Sequence, residues 1–263
     1  MNARLEPIAK SSVKGECSPE EWQLRVQLAA AYRIVDFYGW TELIYGHLTV
    51  RVPGPGRHFL INPFGLGYDE VNASNLVKID LEGNIIGRSD YPINRAGFVI
   101  HSAVHAARED AHCVMHTHTR AGMALAACSA GLLPISMTST AFHGRVAYHT
   151  YEGVTVDVDE RERLAHDLGE LNAMILVNHG ILTCGRTIAE AFLRLYRLER
   201  AAQVQLDAQA MNHPLSILPD DVARRSGEQM DGFGREATNG TFGEMEFAYL
   251  MRKMDRIDSS YRD

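Results

Sequence analysis

Ala111-His112-Cys113-Val114-Met115-His116-Thr117-His118-Thr119 is an apolar run that ends in two histidines spaced by one residue, and it passes directly into Arg120-Ala-Gly-Met-Ala-Leu-Ala-Ala-Cys128. Side chains on a strand alternate with period two, so His116 and His118 share one face. The pattern predicts a strand over 111–119 and a helix over 120–130. Both imidazoles then lie where a strand turns into a helix, a place where alternating α/β chains build sites. A second apolar stretch, Met174-Ile-Leu-Val-Asn178-His179-Gly180, predicts another strand that carries a third histidine. Catalytic divalent metals commonly take three protein ligands and keep one position open, so His116, His118 and His179 are the candidate ligands. His101 and His105, four apart on a predicted helix over 97–108, form a rival pair with metal spacing, but Ser102 stands where a zincin has glutamate.

Outward from this centre the chain alternates between elements. Ser18-Pro19-Glu20-Glu21 combines a capping serine, proline at the first helical position and glutamate three after the cap, predicting a helix to about Phe37. Strands are predicted at 48–52 and 58–62, separated by Pro53-Gly54-Pro55-Gly56, and at 76–80 and 84–87 around Glu82-Gly83. Beyond the central run come strands at 134–137 and 145–147, a helix at 159–170, and the strand holding His179. Thr187-Ile-Ala-Glu190 is a second capping box before a helix to about Ala210. Residues 213–241, polar and glycine-containing, read as loop, and a last helix spans 242–256. Three regions follow: a flexible leader at 1–17, a main domain at 18–212, and a C-terminal loop and helix at 213–263 that pack on the same domain or on a neighbouring subunit.

A chain of 263 residues with 46% hydrophobic and 22% charged residues fits a globular protein with one substantial core. The net charge of −7, without a basic run, excludes nucleic acid and anionic membrane surfaces as partners. The uncharged stretch from Ala121 to Phe142 matches a membrane span in length, yet Gly122, Gly131, Pro134 and a Ser/Thr cluster make it a buried helix, turn and strand. Four scattered cysteines with no Cys-x-x-Cys pair, and no secretory signal, read as reduced thiols in a cytoplasmic protein.

Taken together, His101-Ser-Ala-Val-His-Ala-Ala-Arg-Glu-Asp-Ala-His-Cys-Val-Met-His-Thr-His118 and Asn178-His-Gly-Ile-Leu182 resemble the class II aldolase and adducin family over residues 20–210. Phe59-Leu-Ile-Asn-Pro-Phe-Gly-Leu-Gly-Tyr68 and Ala73-Ser-Asn-Leu-Val-Lys-Ile-Asp80 resemble its adducin-like branch in particular. The resemblance implies an α/β fold in three layers, a mostly antiparallel sheet between helical layers, assembled as a homotetramer with sites near subunit borders. It also implies His116, His118 and His179 around a divalent metal, zinc first, with manganese or iron as the other fits.

Three departures from that family's sugar-phosphate aldolases redirect the reading. Gly46-His47-Leu48-Thr49 replaces a Gly-Asn-x-Ser element, and Asn62-Pro63-Phe64-Gly65 replaces a Thr-Pro-Ser-Gly phosphate turn. Arg95-Ala96-Gly97 replaces Ser-Ser-Glu, whose glutamate shuttles protons and ligates metal. His47, Asn62, Gly65 and Arg95 are therefore candidate substrate-binding residues. Arg95 brings a fork of donors that fits a carboxylate, which points to a small acid as substrate. His149, in Tyr148-His149-Thr-Tyr151, is the candidate catalytic acid or base. Tyr249 and Tyr261 stand where the family's C-terminal tyrosine would complete a neighbour's site.

A three-histidine metal with open positions polarises a carbonyl and stabilises the enediolate that forms as an adjacent bond breaks. The expectation is a metal-dependent carbon–carbon lyase, aldolase or decarboxylase, acting on a small hydroxy or keto acid. The alternatives are an adducin-like assembly module without turnover, and redox chemistry at Fe(II).

Overall fold

The computed structural model describes residues 12–155, 157–237 and 242–263. Helix α1 (Pro19–Phe37) starts where the serine predicts, with the Ser18 side chain accepting from the Glu21 N–H at 3.1 Å. The Glu21 carboxylate does not return to the cap; it pairs with Arg25 and Lys78, each at 2.9 Å. The strands β1 (His47–Arg51), β2 (Phe59–Ile61), β3 (Val77–Ile79), β4 (Cys113–Thr117), β5 (Ala147–His149), β6 (Ala173–Leu176) and β7 (Gly180–Gly185) form one sheet in the order β3-β2-β1-β4-β7-β6-β5. All its pairings are antiparallel except β5 with β6.

The sheet lies between two helical layers. On one face α1, α3 (Arg120–Ala126), α6 (Ile188–Ala210) and α8 (Glu244–Ile257) enclose Leu48, Val50, Cys113, Met115, Ile175 and Ile181. On the other, α2 (Arg95–Ala107) and α5 (Glu160–Leu168) cover Val114, Met174, Leu176 and Leu182, while α2 also packs Phe98 and Val99 on β2 and β3. Fully burying each such Leu, Ile or Phe contributes about 1.5–3 kcal/mol.

Several expectations change. The run Met174–Leu182 is two antiparallel strands rather than one, because the chain reverses at Val177–His179 with Asn178 at φ 56°; asparagine tolerates that left-handed conformation better than most residues. Residues 134–137 form no strand. Instead Ser136 and Ser139 exchange side-chain-to-backbone hydrogen bonds and start the short helix α4 (Met137–Thr140). Residues 84–87 contribute only an isolated bridge, Ile79 to Ile85, because the Asp80 carboxylate accepts from the Glu82 and Asn84 N–H groups and holds a tight turn.

The region 213–241, expected as loop, contains helix α7 (Asp220–Ala237). Its glycines read as breakers in the sequence, yet Gly227 serves a close approach: a Cβ there would stand 2.5 Å from the Thr140 carbonyl oxygen. Gly227→Ala is therefore expected to lower the thermal midpoint by the equivalent of about 1–3 kcal/mol, the usual range for overpacking. An unchanged midpoint would show that α7 can lift off α4 freely.

The leader at 1–17 falls partly outside the described residues, of which 14–16 form a 3₁₀ turn. The tail is tied down. The Ala73 and Ser74 N–H groups donate to the carbonyls of Tyr261 and Asp263 at 3.0 and 2.9 Å, and Arg33 on α1 reaches Asp258 and Ser260. No described helix is long and apolar enough to cross a membrane.

Candidate metal centre

His116 sits in β4 between His47 of β1 and Leu182 of β7, and His118 lies one residue past the strand's end. The reversal between β6 and β7 brings His179 over them, its N–H bonded to the Leu176 carbonyl at 2.9 Å. Gly180 permits this closeness: a Cβ there would stand 2.6 Å from the Thr117 carbonyl oxygen and 3.2 Å from the His116 ring.

The three Nε2 atoms converge, 2.7 Å between His116 and His118 and 2.9 Å between His118 and His179. His116 Nδ1 faces the Ile181 carbonyl at 3.0 Å and His118 Nδ1 faces the Glu42 carboxylate at 2.5 Å. Both of those acceptors need a proton, so in a neutral ring each Nδ1 is the N–H and each Nε2 carries a lone pair. Two facing lone pairs do not make a hydrogen bond. A cation between them reconciles the arrangement, and the donor set fits a divalent metal that accepts imidazole nitrogen. Burial also favours the ligating form. It pushes His116 well below the ordinary imidazole range, helped by His179 and His118, and pushes His179 down to about 4, helped by His118 and His149. Neutral imidazole is the species that binds metal.

Glu42 was not legible as a partner, being 76 residues from His118 with no motif around it. Losing such an outer partner typically weakens metal binding about 10–100-fold. Glu42→Gln is expected to show that loss in a chelator competition, and undiminished affinity would remove Glu42 from the centre.

The other candidates are placed as follows. His47 is 3% exposed, stacked on His116 with ring centres 6.2 Å apart and an angle of 20°. Gly97 faces it: a Cβ at that position would lie 2.3 Å from His47 Cδ2. His101 and His105, the rival pair, share Thr49 Oγ1 at 2.7 and 2.8 Å. Arg95 is exposed on the first turn of α2, which Asn94 caps by accepting from the Ala96 N–H. Asn62 is buried against Tyr32 on the α1 side, and Gly65 occupies a turn at φ 109°. His149 turns both ring nitrogens onto carboxylates, Nδ1 to Asp167 at 2.8 Å and Nε2 to Glu160 at 3.3 Å. Its carbonyl accepts the Val177 N–H at 2.9 Å, which anchors the turn that carries His179. Tyr261 is buried with its hydroxyl on Asp255, whereas Tyr249 is exposed.

Comparison with known proteins agrees with this geometry. The family model for the Class II Aldolase and Adducin N-terminal domain matches residues 26–206. An aldolase II superfamily protein from Pseudomonas syringae superposes with a TM-score of 0.90 at 49% identity, covering 96% of this chain and all of that one. L-fuculose 1-phosphate aldolase from Glaciozyma antarctica PI12 superposes with a TM-score of 0.80 at 30% identity over 98% of this chain and 97% of that one. Alpha-adducin of Rattus norvegicus is 41% identical over 89% of this chain, which spans 33% of the adducin. A sheet flanked by two helical layers, three histidines converging at the end of its central strand β4 and these likenesses have one common account: the chain belongs to the class II aldolase and adducin family.

Proposed function

We propose that this protein is a divalent-metal-dependent carbon–carbon lyase, an aldolase or decarboxylase acting on a small hydroxy or keto acid, with zinc as the resident metal. The observation that carries the reading is the convergence of three imidazole nitrogens, two of which, on His116 and His118, have tautomers that leave lone pairs facing one another. Three protein ligands with one side accessible are the make of a catalytic zinc site, whereas structural sites are closed by four. When bound, the metal would act as a Lewis acid toward a carbonyl oxygen. His116, His118 and His179 would hold it, Glu42 and the Ile181 carbonyl fix the orientations of the His118 and His116 rings, and the partly exposed side of His118 and His179 leaves room for a ligand. Arg95, at the start of α2, supplies a planar donor fork for the substrate carboxylate. In the retro-aldol reaction the bond between the α and β carbons breaks. Its electron pair moves onto the carbonyl-bearing fragment, the β-hydroxyl gives its proton to water as the aldehyde forms, and the carbanion carbon takes a proton back from water. In decarboxylation the bond to the carboxyl carbon breaks instead, and its electron pair stays on the carbon next to the carbonyl, which then takes a proton as carbon dioxide departs.

The likeness to L-fuculose 1-phosphate aldolase supports the lyase reading, and the likeness to alpha-adducin supports the alternative of a binding module. Iron would shift the reading toward redox chemistry. We further propose a homotetramer working in the cytoplasm, in keeping with four cysteines that form no disulfide. Elemental analysis of chelator-free protein decides first: one divalent metal per chain, with turnover of hydroxy or keto acids that stops on chelation and returns with zinc, is the expected result. Protein that takes up no zinc, manganese or iron on reconstitution would leave the binding module.

A further inference from the structure

Behind the metal centre, between β1 and α2, lies a column of buried polar side chains. His105 Nδ1 faces the Ala111 carbonyl at 3.1 Å, and a carbonyl only accepts, so this nitrogen carries a proton. Burial lowers His105 to about 3, which keeps the ring neutral and leaves Nε2 as a lone pair. Thr49 Oγ1, 2.8 Å away, must then donate to it, and a hydroxyl has one proton to give. The same oxygen therefore accepts from His101 Nδ1 at 2.7 Å. His101 is also neutral by burial, so its Nε2 is a lone pair too, fully buried and without a partner among the described residues. The next ring is His47, edge-on to His101 at 5.7 Å, with both nitrogens buried and unpartnered. Gly97, which has no Cβ, makes room for that ring. One backbone carbonyl thus sets the proton positions of two histidines and hands a lone pair to a third.

We propose that His47 is a substrate-contacting residue that directs its N–H toward the His101 lone pair and accepts with its other nitrogen from a hydroxyl on the metal-bound ligand. His101, Thr49 and His105 are positioning residues. Because the column ends in an acceptor, it selects a hydroxyl donor beside the metal-chelating oxygens, which narrows the substrate class to α-hydroxy acids and related hydroxy carbonyl compounds. This inference rests on the metal-centre reading above.

Glycolate and acetate serve as probes, differing only in the hydroxyl, and their binding to zinc-loaded protein is measured by calorimetry beside Thr49→Val and His47→Phe. Wild type is expected to prefer glycolate. Thr49→Val, nearly isosteric, is expected to cut that preference about five- to tenfold, the weight of one hydrogen bond, and His47→Phe to abolish it with metal content unchanged. Long-range proton–nitrogen spectra of metal-free protein give an independent readout: His101 and His105 should both show protonated Nδ1, and His101 should lose that signature in Thr49→Val. Full metal content with an unchanged glycolate-to-acetate ratio in both variants overturns the column's role, as does a protonated Nε2 on His101. Wild-type protein that binds no metal overturns the metal-centre reading and this inference together.

Discussion

His116→Ala protein is expected to lose its divalent metal, binding it more than about 100-fold more weakly than wild type, a larger loss than the 10–100-fold seen for outer partners. His116 is fully buried and forms the back of the triangle, while His118 and His179 are partly exposed. Without it the remaining nitrogens form an open pair on one side of the ion. Water cannot readily replace the third, because the sheet and α2 close the space behind it. Metal per chain and chelator competition measure the loss, and His179→Ala should behave in the same direction. The fold should persist, since the apolar clusters on both sheet faces do not depend on the imidazole. A His116→Ala protein that keeps one metal per chain would place the metal elsewhere.

The second large effect is acid unfolding well above the carboxylate range. His47, His101 and His105 are 3%, 0% and 1% exposed, and burial depresses all three. A histidine depressed on folding stays neutral in the native state and protonates in the unfolded one. It therefore contributes stability above its unfolded value near 6.5, and that contribution is lost as pH falls from there toward the folded value, about 3 for His105. Each group approaches a cost of about 1.4 kcal/mol per pH unit in that window, so three together remove up to about 5 kcal/mol between pH 6.5 and 5. That is comparable with the whole stability of many domains, about 5–15 kcal/mol. Thermal midpoints of metal-free protein from pH 7 to 4.5 should fall with a slope that reports at least three protons taken up on unfolding, because burial depresses His116 and His179 as well. A flat profile across that range would mean that these rings titrate normally.

What the sequence made legible follows the range of the forces involved. The helices α1 and α6 were readable because their starts are set within four residues by Ser18 and Thr187, and the histidines that converge were readable because strand alternation and a His-Gly step are local. The layered architecture and mostly antiparallel sheet came from the family resemblance, and the structure has them. The expected loop at 213–241 failed because a glycine's reason can be a neighbour far along the chain, as Thr140 is for Gly227. The turn at His179 was read as strand because apolar content says nothing of direction; the reversal lies in the Asn178 backbone. Glu42, and the Thr49 hydroxyl shared by His101 and His105, are contacts across 76, 52 and 56 residues, and no local pattern encodes them.

The stitching of the last residues onto Arg33, Ala73 and Ser74 sets an order on biosynthesis. Arg33 meets Asp258 across 225 positions and Ser260 across 227, so the outer layer built on α1 closes only after those later residues are translated. At about 5–20 residues per second, α1 waits more than roughly ten seconds with apolar surface still uncovered. The nascent polypeptide is thus a client for ribosome-associated chaperones until that segment emerges, and a ribosome stalled before Asp258 would hold a chain whose first helix has no finished bed.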